Sequence, residues 1–143
     1  MDRKSLQKLA KERLKDAKAL LGRKRWSGAY YLCGYAIECG LKACLLRHLG
    51  ESAALFSDRD YVKKDLVQCW THDLEKLMQL SGLESHFGAA CGADPLLDRF
   101  WKVTKDWDEN SRYEEKTEAE AKALFEAITQ QPNGVFEWIQ SRW

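Results

Sequence analysis

The chain has 143 residues, 45% of them hydrophobic and 31% charged, with two prolines and a formal net charge of +1. That is the size of one domain, residues 1–143, with a real core and the composition of an ordinary all-helical globule. Glu38 and Lys42 interrupt the longest apolar run, which excludes a membrane span, and Met1-Asp-Arg-Lys lacks the apolar stretch of a secretory signal, so a cytoplasmic protein is expected.

The first helix is predicted over Ser5–Leu21. Leu6, Leu9, Ala10, Leu14, Ala17 and Leu21 follow the three-to-four spacing of an amphipathic helix. Lys4, Lys8, Lys11, Lys15 and Lys18 line the other side, and Gly22 ends it. Arg13, in line with Ala10 and Ala17, is placed to point inward, toward Glu38. Residues 1–25 carry ten Lys or Arg against three acids. Such an end can touch phosphates, although a solvated helix face is the simpler reading.

The second helix is predicted over Ser27–His48, ending at Gly50. It is apolar or small on almost every side, the mark of a buried helix. Gly34, Ala36, Gly40 and Ala43 would let a neighbouring backbone come close. Glu51–Asp60 reads as a loop, with a short helix before Trp70. Thr71 is expected to cap a third helix whose buried side is Leu74, Leu77 and Leu80.

Gly82–Asp94 reads as a connection. A fourth helix starts at Pro95 and ends near Trp107, and Asp108–Tyr113 reads as a loop. Thr117-Glu-Ala-Glu120 matches a capping box, so a fifth helix starts there. Pro132-Asn-Gly134 breaks it, and Val135–Trp143 is a last short helical segment. The expected fold is therefore all-α: an antiparallel up-down bundle of four to five main helices with short extra ones.

Few residues are candidates for chemistry. The cysteines (Cys33, Cys39, Cys44, Cys69 and Cys91) are odd in number and include no Cys-x-x-Cys pair. That argues against a zinc or disulfide framework and for small core side chains, so no metal or cofactor is expected. Glu38 needs a partner if buried, and Lys42, four residues on, lies on the same helix face; a structural ion pair is the simpler reading. His72 falls in the first turn of a predicted helix, where backbone amides can bind anions, but a lone histidine there more often packs than catalyses. His48 and His86 have no acid at ligand spacing. Arg112, in a polar loop with Tyr113, can bind a phosphate or carboxylate bidentately, or can tie the loop or Glu38 internally. Tyr30, Tyr31, Trp101 and Trp107 can stack bases, although such residues are more often core or interface anchors. There is no glycine-rich phosphate loop, nucleophile elbow or carboxylate pair with a cleft.

Three segments resemble the HEPN domains, small helical bundles found as companions of minimal nucleotidyltransferases and as RNA-cleaving toxins. They are Ala17-Lys-Ala-Leu-Leu-Gly22 with Trp26–Ala43, then Thr71-His-Asp-Leu-Glu-Lys-Leu77, then Trp107 with Ser111-Arg-Tyr113. The resemblance covers about residues 5–130, and its first segment is the most specific. It implies an antiparallel bundle, usually a homodimer, with a site in the cleft between protomers. In the nuclease branch an Arg and a His separated by four to six residues cleave RNA without metal. Here Thr117, Glu118 and Ala119 stand at those distances from Arg112, no histidine follows His86, and Thr117 cannot shuttle protons as imidazole does.

Three functions are open on this reading. The first is a non-catalytic dimeric module that binds a nucleotide, RNA or a separate nucleotidyltransferase, in a toxin-antitoxin or stress context. Its site would use Arg112, Tyr113, Glu38, His72, Lys42 and Tyr31. The second is a metal-independent endoribonuclease in which His72 works beside Arg112. The third is a purely structural dimerisation module.

Overall fold

The computed structural model describes residues 1–50 and 69–143. They form seven α-helices: α1 (Arg3–Gly22), α2 (Trp26–His48), α3 (Leu74–Leu80), α4 (Glu84–Ala93), α5 (Pro95–Lys105), α6 (Glu118–Thr129) and α7 (Val135–Gln140), with a 3-10 turn over Glu109–Tyr113. No strand occurs among the described residues. The fold is thus all-α, with five helices of ten residues or more and two shorter ones. The expected loop at 51–60 and most of the short helix expected before Trp70 lie outside the described residues.

Asp2 opens α1 by accepting a 2.7 Å hydrogen bond from the Ser5 amide. Leu6, Ala10 and Ala17 face inward while the five expected lysines stay exposed. Gly22 is the last helical residue, but the chain reverses at Lys24, which takes a left-handed φ of 58°. The Arg25 amide then reaches back to the Leu20 carbonyl at 2.9 Å. With only three residues between them, α1 and α2 form an antiparallel hairpin and pack along one another.

As its composition predicts, α2 is the central helix. α1, α3, α6, α7 and the 3-10 turn all pack on it. The small residues serve side chains rather than a backbone. Gly34 receives the Trp107 indole, and Gly40 receives Ile139 and Trp143.

Two local expectations fail for physical reasons. Thr71 does not cap α3: Asp73 does, accepting from the Lys76 amide at 3.0 Å, while Thr71 Oγ1 accepts from the Asp73 amide. Residues 82–94 are not a mere connection, because α4 occupies Glu84–Ala93. Its glycines and alanines carry little amphipathic signal. Its one buried anchor, Phe87, meets Trp101 and Trp138 edge-on at 5.0 and 4.7 Å, so tertiary packing supports it.

Later boundaries shift slightly. α5 stops at Lys105, the expected loop winds into the 3-10 turn, and α7 stops at Gln140. Asp94 caps α5, and the Thr117–Glu120 capping box opens α6 as expected. No helix among the described residues is long and apolar enough to cross a membrane.

Candidate functional site

The site grows from one buried acid. Glu38 lies in the middle of α2 with its side chain 2% exposed. Its Oε1 accepts a 2.6 Å hydrogen bond from Lys42 Nζ, one turn further on, and faces His72 Nδ1 at 2.9 Å. The expected ion pair is present and a histidine completes it. On the far side of the imidazole, Nε2 faces Glu109 Oε2 at 3.0 Å. One line therefore runs Lys42–Glu38–His72–Glu109, joining α2, the residues before α3, and the 3-10 turn.

A neutral imidazole has one N–H, whereas imidazolium has two. Because both ring nitrogens face carboxylate oxygens, only the imidazolium donates to both. In this arrangement His72 is a strut between two elements. It offers no free nitrogen to a substrate, which a general base needs. It also precedes the Asp73 cap, so it lies outside the first turn of α3, and the amides expected to bind an anion are served by the Asp73 carboxylate.

Glu109 is the member that sequence reasoning missed. It stands three residues before Arg112 in what reads as a polar loop, and no spacing rule links it to a histidine 37 positions earlier. Its place follows from Trp107, which is 2% exposed and pins the chain against α2. The cleft around His72, about 360 Å³, is lined by Asp73, Glu75, Asp106, Asp108 and Glu109 against Lys105. This lining repels a phosphate backbone.

Arg112 does not join this line. It is exposed and lies over the Tyr113 ring at 4.9 Å, with Tyr113 77% exposed. The neighbouring Tyr113, and after it the Tyr31 side chain, holds the guanidinium above its ordinary value. Tyr31 in turn stacks on Tyr35 at 6.1 Å and tilts against Trp107 at 5.9 Å. The expected alternatives for Arg112 thus narrow: its described partners are tyrosines, and it does not tie Glu38. Arg13 does not reach Glu38 either. It pairs with Asp16 on its own helix at 3.1 Å, because a partner three residues away is within reach without leaving α1.

The remaining candidates are structural. Tyr30, Trp101 and Trp107 are largely buried in the core. All five cysteines are free, and burial pushes Cys33, Cys39 and Cys44 up to about 12. The described residues contain no His, Cys, Asp and Glu group that could hold a metal ion. Three buried polar atoms here have no hydrogen-bond partner among the described residues: Glu38 Oε2, Trp107 Nε1 and Ser111 Oγ.

A family model, that of the HEPN domain, matches residues 4–55, the stretch that contains α1 and α2. The match covers 52 of the 143 residues and likens the first helical hairpin to that family. Neither the curated proteins nor the solved structures hold a match.

Proposed function

We propose, from the premise that α1 and α2 are the helical pair of a HEPN domain, that this protein is a non-catalytic binding module of a nucleotide- or RNA-related system. It acts as a homodimer and engages a protein partner, such as a separate nucleotidyltransferase, through the face that presents Arg112 and Tyr113. The carrying observation is the division of the two candidate catalytic residues. His72 is held at both nitrogens by Glu38 and Glu109, while Arg112 lies on Tyr113. A nuclease needs the imidazole and the guanidinium to meet at one phosphate.

The surroundings favour a protein over RNA at this face. Glu114, Glu115, Glu118 and Glu120 are all exposed beside Arg112, and the His72 cleft is acidic. An exposed Tyr next to an Arg is the residue pair that protein interfaces enrich at their energetic centres.

The test is incubation of the purified protein with labelled single-stranded RNA in EDTA, beside His72→Ala and Arg112→Ala. The expected result is no cleavage by any of the three. Cleavage by the wild type that disappears in His72→Ala would overturn the non-catalytic reading. Light scattering over a concentration series tests the dimer, whose mass should be twice the 16.5 kDa chain. A monomer at all concentrations would overturn that part.

A further inference from the structure

The contact between His72 and Glu109 holds more than one residue in place. Trp107 fixes the start of the 3-10 turn on α2, and the Lys116 amide, donating to Ser27 Oγ at 2.9 Å, fixes the chain beyond it. Between those anchors, Glu109 Oε2 meets His72 Nε2 at 3.0 Å and joins the turn to the residues before α3. Arg112 and Tyr113 belong to the same turn. Its backbone bonds, from the Ser111 amide to the Asp108 carbonyl and from the Glu114 amide to the Ser111 carbonyl, are both 3.2 Å long, in the weaker 3-10 geometry.

The charged groups around His72 come from several elements. Glu38, with Lys42 beside it, comes from α2, and Glu109 comes from the turn that Asp108 caps. Asp73 and Glu75 come from the start of α3, and Lys105 and Asp106 from the end of α5. Of these side-chain types, imidazole alone ordinarily changes charge between pH 5 and 8. The His72 side chain is 45% exposed, so protons reach it from solvent.

The two carboxylates that His72 joins are not equivalent. The Glu38 side chain is 2% exposed and that of Glu109 is 39%. When the imidazolium loses a proton, one N–H remains for two acceptors. Taking a donor from the buried acid costs more than taking it from Glu109, which water can solvate. The remaining proton therefore stays on Nδ1, toward Glu38. Nε2 then turns a lone pair to the Glu109 carboxylate, which repels it.

We propose that His72 is a pH-dependent latch: as imidazolium it holds the 3-10 turn, and its deprotonation releases Glu109 and with it the turn that carries Arg112 and Tyr113. A partner docked on that face would be held more firmly in mild acid than in mild base. That consequence rests on the proposed docking face, whereas the latch does not. Nuclear magnetic resonance of the protein alone, from about pH 5 to about pH 8, tests it in wild type, Glu109→Gln and His72→Gln. The His72 ring signals report its charge, and the Ser111 and Glu114 amides report the turn.

In wild type, protection of those two amides from hydrogen exchange, corrected for the base catalysis of exchange, should fall about fivefold along the His72 titration curve, the weight of one hydrogen bond. A glutamine amide accepts from imidazolium and donates to neutral imidazole, so Glu109→Gln should keep its protection throughout. His72→Gln should show no titration of the turn. Protection that stays constant while the wild-type His72 titrates overturns the latch, as does a fall of the same size in either variant. So does a His72 that keeps one charge across the whole range. The measurement uses neither RNA nor a partner, so the docking face and the dimer can fail while the latch stands.

Discussion

Gly34 and Trp107 occupy what is almost one volume: a β-carbon on Gly34 would fall 2.2 Å from the indole. Trp107 is fully enclosed, with Tyr31 tilted against it at 5.9 Å, so the ring has little room to retreat. Because Glu109 and Arg112 follow Trp107 closely, this contact sets where their turn lies on α2.

Replacement of Gly34 by alanine should therefore destabilise the fold by about 1–3 kcal/mol or more, the range for overpacking a filled core. Urea unfolding measures it. An unchanged midpoint would mean that Trp107 does not lie on α2 as described.

The Glu38 line predicts an order of losses. Glu38→Ala removes both the Lys42 and the His72 bonds of a buried acid and should cost about 3–5 kcal/mol. His72→Ala removes a half-exposed strut and should cost only about 1 kcal/mol. Denaturant melts giving the two variants equal losses would show Glu38 to be solvated.

Lys24 holds a conformation that a side chain disfavours by about 1–2 kcal/mol, and glycine relieves it at a smaller entropic cost. Lys24→Gly should thus stabilise the protein, by roughly 0.5–1 kcal/mol. A lower unfolding midpoint for this variant would refute the left-handed turn between α1 and α2.

Acid should weaken the fold through its helix starts. The Asn133 side chain, and then the Leu97 amide, hold Asp94 below its ordinary 3.8, and the Thr117 side chain holds Glu120 below 4.5. Folded values below unfolded ones mean that this stability is complete above the ordinary values and is lost as pH falls through the folded ones. Urea midpoints measured from about pH 6 to about pH 3 should decline, and Asp94→Asn should flatten the decline. A slope unchanged by that substitution would remove Asp94 from the account.

Base should act in the opposite sense through the core thiols. Cys33, Cys39 and Cys44 are raised from 9.0 to about 12, so their contribution is full below 9.0 and is lost as pH rises toward 12. The same burial predicts that iodoacetamide labels the partly exposed Cys91 in the native protein and spares those three until denaturant is added. Mass spectrometry of labelled peptides decides it, and early labelling of Cys39 would contradict the core.

Much of the fold was legible because its signals are local. α1 shows its stripe, α2 its unbroken apolar character, and α6 its capping box, and each depends on residues within one or two turns. α4 was not legible. Its Gly88 and Gly92 weaken any helical preference, and it forms because Phe87 finds Trp101 and Trp138, one of them 51 positions away. Asp73 outcompeted Thr71 as a cap for a reason that spacing alone leaves open, since both residues are good caps two positions apart.

Of the candidate site, the Glu38–Lys42 pair was readable from its four-residue spacing and from the need of a buried acid for a partner. Which side chain besides Lys42 would reach Glu38 was not. Arg13, Arg112 and His72 are 25, 74 and 34 positions away, and only the packing of the turns around Trp107 and α3 selects His72.

Taken alone, then, the sequence determined an all-helical chain around one buried central helix, a paired Glu38, and a HEPN-like first hairpin. Periodicity, caps and apolar runs act over short separations. Tertiary structure alone decided that Glu109 holds the far side of His72 and that Arg112 rests on tyrosine. Those neighbours come from separate elements, and only the packing of whole helices against α2 brings them within reach.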